Sequence, residues 1–276
     1  MSEKDRTSAP LRRVQPPGRK LPWPFDLYQS AVGKKWAMAL SGIALMGFVL
    51  VHMIGNLKAY LGPEDLNHYG EWLRELAEPA LPRTVALWGM RIGLIAAFAV
   101  HVHAAWGLTR MNRRARPVGY ATKRDYVVAD FAGRTMRWTG IVVGAFVIFH
   151  LADLTWGTVN GDFVRGDPYH NLAHSLDRPV VGLFYMVANA ALAFHLFHGA
   201  WSLFKSLGIS HPRFNPWTKH FATAFAAVIF AGNVSFPIMV TAGVIEEAAC
   251  ASVEYTTEDR GCRAVSDLRY RQRGDG

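Results

Sequence analysis

Five long apolar runs, each bounded by charged or turn-forming residues, constrain this chain more than anything else in it. They cover about Trp36–Leu57, Val85–Leu108, Met136–Leu154, Val180–Phe204 and Phe221–Ile245. At a rise of about 1.5 Å per residue, each is long enough to cross the hydrocarbon of a bilayer. Backbone polar groups in hydrocarbon must be satisfied within the protein, so apolar runs of this length are expected to be helices. The expected fold class is therefore an all-α membrane protein, a bundle of five transmembrane helices. Composition agrees, since 51% of the 276 residues are hydrophobic and the 18% that are charged crowd into loops and ends.

The charged residues also predict an orientation. The segment TRMNRRARPVGYATKRDY after the second run and KSLGISHPRFNPWTK after the fourth are basic. LGPEDLNHYGEWLRELAEPALP, NGDFVRGDPYHNLAHSLDR and EEAACASVEYTTEDRG carry more acid. Lys and Arg accumulate on the cytoplasmic side, so the N-terminus is expected inside and the C-terminus outside. The net charge of +9 is then a topology signal rather than a nucleic-acid footprint. Three regions follow: a basic, Pro-rich cytoplasmic arm over 1–29 without an apolar signal core, a five-helix domain over 30–247, and an extracytoplasmic tail over 248–276.

Inside the first four runs lie His52, His101, His150 and His195, one to each. Ionisable residues in a membrane span usually face the bundle interior and mark an ion, proton or electron path. Counted along the predicted helices, His52 and His150 lie about 24 and 21 Å from the inner ends of theirs, whereas His101 and His195 lie about 10 to 14 Å deep. The four sort into an outer layer from the first and third helices and an inner layer from the second and fourth.

Two imidazoles from facing helices, twice over, suit bis-histidine b-type haem, since imidazole is an axial ligand and the macrocycle suits a helix-lined cavity. No CxxCH occurs, which excludes c-type haem. Small residues that could admit a macrocycle are Gly42, Gly47 and Gly55 around His52, Ala97 and Ala99 near His101, Gly140 and Gly144 before His150, and Ala190, Ala191 and Ala193 before His195; ordinary helix packing explains them as well. His103 and His198 are alternates to His101 and His195. His101 and His103 project in different directions, and His195 and His198 share a face.

The runs GKKWAMALSGIALMGFVLVHMIGNLKAYLGPEDLNHYGEWLR, HVHAAWGLTRMNRRARPVGY, FHLADLTWG and FHLFHGAWSLFKSLGISHP, in this order, resemble the membrane anchor of succinate:quinone oxidoreductases and fumarate reductases. The type resembled is the single-chain, five-helix cytochrome b, over about Ser30 to Ile245. The resemblance implies an inner haem on His101 and His195 and an outer one on His52 and His150. It implies a subunit of respiratory complex II, multi-pass in the bacterial cytoplasmic membrane and without flavin of its own. There it would take electrons from succinate through a cytoplasmic flavoprotein subunit and an iron-sulfur subunit, and pass them to membrane quinone, with two haems implying menaquinone.

A quinone taking two electrons also needs two protons, so its site should hold protonatable residues near an aqueous face. Inner candidates are Ser30, Lys34, Lys35 and Trp36; outer candidates are His68, Tyr69, Arg91 and Asp153. Arg91 could equally snorkel to headgroups, and Asp153 could simply sit at the interface. The only cysteines, Cys250 and Cys262, follow the fifth run on the expected outer side and suit a disulfide. Their alternative is a Rieske-type 2Fe-2S centre completed by two histidines. His170 and His174 have metal-ligand spacing on a helix but lack an HExxH glutamate. Trp23, Trp36, Trp72, Trp88, Trp138, Trp156 and Trp217 suit an interfacial belt. Two other functions are compatible with intramembrane histidines: a quinone-linked cytochrome b anchoring another dehydrogenase, and a His-dependent transporter. The transporter should show broken helices at the midplane, and Pro237 is the one such break in the sequence.

Overall fold

The computed structural model of the chain describes residues 22–23, 25–115, 127–209, 211–213 and 215–246. The described residues are helical, in the order α1 (Phe25–Gln29), α2 (Ala31–Asn56), α3 (Pro63–Glu75), α4 (Val85–Ala115), α5 (Val127–Leu154), α6 (Pro168–Asp177), α7 (Pro179–Ser206) and α8 (Asn215–Thr241), with a 3-10 turn over Leu57–Leu61. Five of these helices, α2, α4, α5, α7 and α8, are long and apolar enough to cross a membrane. The chain is thus an all-helical, multi-pass membrane protein. Cys250 and Cys262 lie outside the described residues.

Surface and interior are divided as lipid solvation demands. Ile92, Ile95, Ile148 and Val180 point outward and are strongly exposed, while the buried polar groups include Asp153, Ser175, Asn189 and His198. Close approach between helices uses small residues: Ala104, Ala200 and Ala222 are fully buried, and a Cβ on Gly232 of α8 would overlap the Met53 side chain of α2. Met53, Leu196, Ala226 and Ile229 make one apolar seam along α2, α7 and α8. Pro237 is buried in α8 without ending it and sits in its last turns rather than at a midplane break.

The spans alternate in direction, so α2, α5 and α8 all finish at the same end of the bundle. That end is closed by the two short amphipathic helices, α3 and α6. Each begins with proline at its first turn, where the missing N–H costs nothing. Asp167 caps α6 by accepting from the His170 N–H at 2.9 Å. Asn67 of α3 ties the two together, donating to Asp167 at 2.9 Å and accepting from the Tyr169 N–H at 3.0 Å. Under this cap lies the larger core, which includes Leu66, Phe146, Leu172, Leu176, Tyr185, Phe236 and Val240. The chain is therefore built twice over: span, cap helix, span in α2–α3–α4, and the same order in α5–α6–α7, with α8 packed on α7.

At the opposite end, Ser30 caps α2 by accepting from the Gly33 N–H at 2.9 Å. The short α1 folds back there against α2. A Cβ on Gly33 would overlap the Leu27 carbonyl and press on Tyr28 Cα. Since backbone cannot swing aside as a side chain can, Gly33→Ala is expected to pry α1 from α2. It should cost about 1–3 kcal/mol, read as a lower unfolding midpoint of the detergent-solubilised protein.

Candidate functional site

The two pairs of spans are each closely packed, α2 with α4 and α5 with α7. Across the bundle, α4 makes little or no close backbone contact with α5 or α7, and α2 makes little or none with α5. The four histidines bridge these separated helices. His52 of α2 faces His150 of α5, with ring centroids 5.9 Å apart and planes at 85°. His101 of α4 faces His195 of α7, with centroids 6.3 Å apart and planes at 68°.

The second pair lies level with Gly42 and Gly140. A Cβ on Gly42 would stand 3.6 Å from His101 Cε1, and one on Gly140 would stand 3.4 Å from His195 Cε1. From Gly42 to His52, and likewise from Gly140 to His150, the helix rises about 15 Å. There are thus two imidazole pairs at two depths, His52 and His150 toward the capped end, His101 and His195 toward the other.

Local hydrogen bonds turn three of the rings the same way. Ser41 donates its hydroxyl proton to the Ala37 carbonyl at 2.6 Å, which leaves its oxygen, 3.4 Å from His101 Nδ1, to accept from the ring. Thr139 repeats this, donating to the Thr135 carbonyl at 3.0 Å and standing 3.4 Å from His195 Nδ1. Tyr185 donates to Asp153 at 2.9 Å and places its oxygen 3.4 Å from His150 Nδ1. With Nδ1 as the donor, Nε2 keeps its lone pair for the space between the helices, which is how metal-ligating imidazoles are oriented. His52 differs: the Asn56 amide nitrogen stands 3.4 Å from its Nε2.

The spacing of the rings suits a shared iron. With a metal–imidazole nitrogen bond of about 2.0–2.1 Å, and roughly another ångström from nitrogen to ring centre, two rings about 6 Å apart centre to centre could hold one metal ion between them. Gly47 and Gly144, on the helices between the two levels, would meet nothing within 4 Å if given a Cβ. The donor set, the separation and the bare helix faces all fit bis-histidine haem. Gly55 has another job, because a Cβ there would overlap the Tyr69 ring.

The structure also separates the alternates. His103 stacks on Tyr28 and lies 2.5 Å from its hydroxyl by Nδ1, away from the pair formed by His101. His198 is buried beside Phe197, and its Nδ1 has no hydrogen-bond partner among the described residues. Neither faces a second histidine as His101 and His195 do.

The quinone candidates fall into several places. Ser30 is spent on the α2 cap, and Lys34 reaches the Tyr28 carbonyl at 3.2 Å and covers the Tyr28 ring, while Lys35 and Trp36 are exposed. His68 and Tyr69 line a cavity of about 330 Å³ with Lys58, Asp65 and Trp72, at the capped end. Arg91 is exposed and stacks on Trp88, 5.0 Å from the ring centre, as a snorkelling arginine does. Asp153, at the end of α5, is fully buried within the protein, paired with Arg178 at 2.6 Å, and accepts from Ser175 as well as Tyr185. His170 and His174 stack on each other, and His170 Nε2 lies 2.9 Å from the Asp162 carbonyl, binding the preceding loop to α6. Outside the spans, burial and then the nearby Glu246 carboxylate push the Tyr169 phenol up, so it stays neutral in the cap.

Ser41, Thr139 and Tyr185 are absent from the expected site, yet the sequence does carry a signal for the first two. Met38, Ser41, Gly42, Ile43, Phe48, Val49 and His52 recur in register as Met136, Thr139, Gly140, Ile141, Phe146, Val147 and His150. This internal repeat places a hydroxyl and a glycine at matching points below each capped-end histidine. Comparison of the chain with protein-family profiles, with curated proteins and with solved structures finds no match.

Asp153 is the costliest group to disturb. Asp153→Ala leaves the buried Tyr185 and Ser175 hydroxyls without their acceptor and the part-exposed Arg178 without its carboxylate, and should cost about 1–3 kcal/mol. Asp153→Asn, which still accepts hydrogen bonds, should cost less. Unfolding midpoints of the two variants in detergent give the ranking.

Proposed function

We propose that the chain is the haem-bearing membrane anchor of a respiratory complex of the succinate:quinone oxidoreductase type, relaying electrons between a cytoplasmic iron-sulfur subunit and membrane quinone. One observation carries the reading: two histidine pairs, at two depths, span helices that make little or no other close backbone contact. A buried imidazole needs a partner, and His101 and His195, whose Nδ1 atoms both face hydroxyl oxygens, can present two Nε2 lone pairs to one space, as His150 can at the capped end. Iron-porphyrin held there would supply one-electron ferric–ferrous exchange.

The residues do the remaining work. His101 and His195 hold the layer near the basic loops, with Ser41 and Thr139 fixing their rings. His52 and His150 hold the layer beneath α3 and α6. The charge pattern supports the N-terminus inside and the cap outside, in a bacterial cytoplasmic membrane, with flavoprotein and iron-sulfur subunits docked at the basic face. The cavity of about 330 Å³ lined by His68 and Tyr69 is of a size for a quinone headgroup, such as that of menaquinone. Ordering by depth gives electrons two stations between the faces.

Reduced-minus-oxidised spectra of the purified complex, with extracted haem counted against protein, test this. Wild type should show two b-type components. His52→Ala and His150→Ala should remove one component, and His101→Ala and His195→Ala the other. His103→Ala and His198→Ala should keep both. A complex without haem iron, or with sulfide in excess of what its iron-sulfur subunit accounts for, overturns the assignment. Co-purification of a dehydrogenase that does not oxidise succinate would retain the relay and change its electron source.

A further inference from the structure

The two histidine layers differ in what stands behind their rings. Near the open end, the oxygens that face His101 and His195 belong to Ser41 and Thr139, whose own protons go to helix carbonyls one turn back. Such acceptors are neutral and weakly polarised. At the capped end, the oxygen that faces His150 belongs to Tyr185, whose proton goes to the carboxylate of Asp153. Asp153 is wholly buried, and its two oxygens are divided between partners: Oδ1 pairs with Arg178 at 2.6 Å, and Oδ2 accepts from Tyr185 and Ser175. Phe146 and Phe149 pack edge-on against Tyr185, with centroids at 5.3 and 6.1 Å, and hold the phenol in place.

The geometry points to Asp153 and Tyr185 as positioning residues that set the electron affinity of the capped-end haem apart from that of the other. This rests on the haem reading above. A hydrogen bond drawn by a carboxylate makes the phenol oxygen more negative, and hydrogen bonds in a chain polarise one another in a low dielectric. A more negative oxygen pulls harder on the Nδ1 proton of His150, giving the ring more imidazolate character. Ring basicity raised in this way strengthens donation through Nε2 and favours the ferric state. Arg178 moderates the charge at Oδ1, and Ser175 competes with Tyr185 for Oδ2, so the two neighbours of Tyr185 at the carboxylate act in opposition to it. His52, whose neighbour is the Asn56 amide, brings no such chain.

Potentiometric titration of the b-type bands in the purified complex reads this directly, with His150→Ala and His101→Ala identifying which component is which. Tyr185→Phe removes the acceptor and should make the component lost in His150→Ala easier to reduce. The expected change is several-fold in its one-electron equilibrium constant, up to about tenfold, or about 59 mV. Ser175→Ala leaves Oδ2 to Tyr185 alone and should make the same component harder to reduce. The component lost in His101→Ala should stay in place in both variants. Opposite signs are the signature, because general loosening of the cap would move both variants the same way. Should Tyr185→Phe fail to assemble, the downward shift in Ser175→Ala carries the test. The inference falls if neither variant moves the capped-end component, if both move it in one direction, or if the other component moves instead. A wild-type complex without b-type absorbance overturns the haem reading itself, an outcome distinct from each of these.

Discussion

Hydrocarbon gives a polar group nothing to bond with, and every polar atom carried into this bundle must be met by another part of the chain. The backbone answers by being helical throughout the spans. Side chains answer locally where they can: Ser41, Thr109, Thr139, Asn189, Asn233 and Thr241 each bond a carbonyl one turn back on their own helix. The groups that cannot be satisfied within one helix are the ones that organise the molecule. Asp153 requires α6 and α7, through Ser175 and Arg178, and so draws the cap onto the spans. The four histidines require something from across the bundle, and they meet one another across helices that stay apart.

The second organising fact is repetition. A span rising to the cap, a short amphipathic helix and a span returning are built twice, and the repeated Ser/Thr-Gly and His positions put one ring-facing hydroxyl and one ring at matching depths in each half. Both halves begin at the same end of the bundle, the arrangement of parallel repeats related about the membrane normal. Such a pairing makes symmetric two-ring sites without any special element, since each half supplies one ring to each layer. The fifth span, α8, has no counterpart in the repeat. It fills the flank of α7, with Gly232 admitting Met53 and Tyr60 bonding Ser235 at 2.6 Å.

Much of this was legible in the sequence because it follows from length and period. Apolar runs bounded by charge marked all five spans, and counting rise per residue placed His52 with His150 and His101 with His195. Boundaries slipped where polar residues continue a helix past the apolar run: α4 runs on to Ala115, α5 begins at Val127 and α8 at Asn215; α8 stops early, at Thr241, just before Gly243 turns the chain at positive φ. The choice between His101 and His103 depended on a contact made far along the chain, the hydroxyl of Tyr28. Gly42 was grouped with the nearest histidine in sequence, His52, but faces His101, because a helix carries a residue ten positions away to another level. For Asp153 the sequence leaves a proton relay at an outer quinone site and an interfacial position both open, and only the fold shows that Ser175 and Arg178 return to cover it.

The repeat is not perfect, and its imperfection falls where the two layers would need to differ. Paired hydroxyls on α2 and α5 treat His101 and His195 alike, whereas the capped-end rings have unlike neighbours, an amide for His52 and a carboxylate-bound phenol for His150. A buried carboxylate is costly in this setting and is tolerable here because it lies under the cap, where α6 and the start of α7 can supply three donors. Had Asp153 served only to fasten the cap, Arg178 and Ser175 would have met it without Tyr185. The third donor extends the polar network one step further inward, toward the ring of His150, and so joins the part of the structure that holds the bundle closed to the histidine pair beneath it.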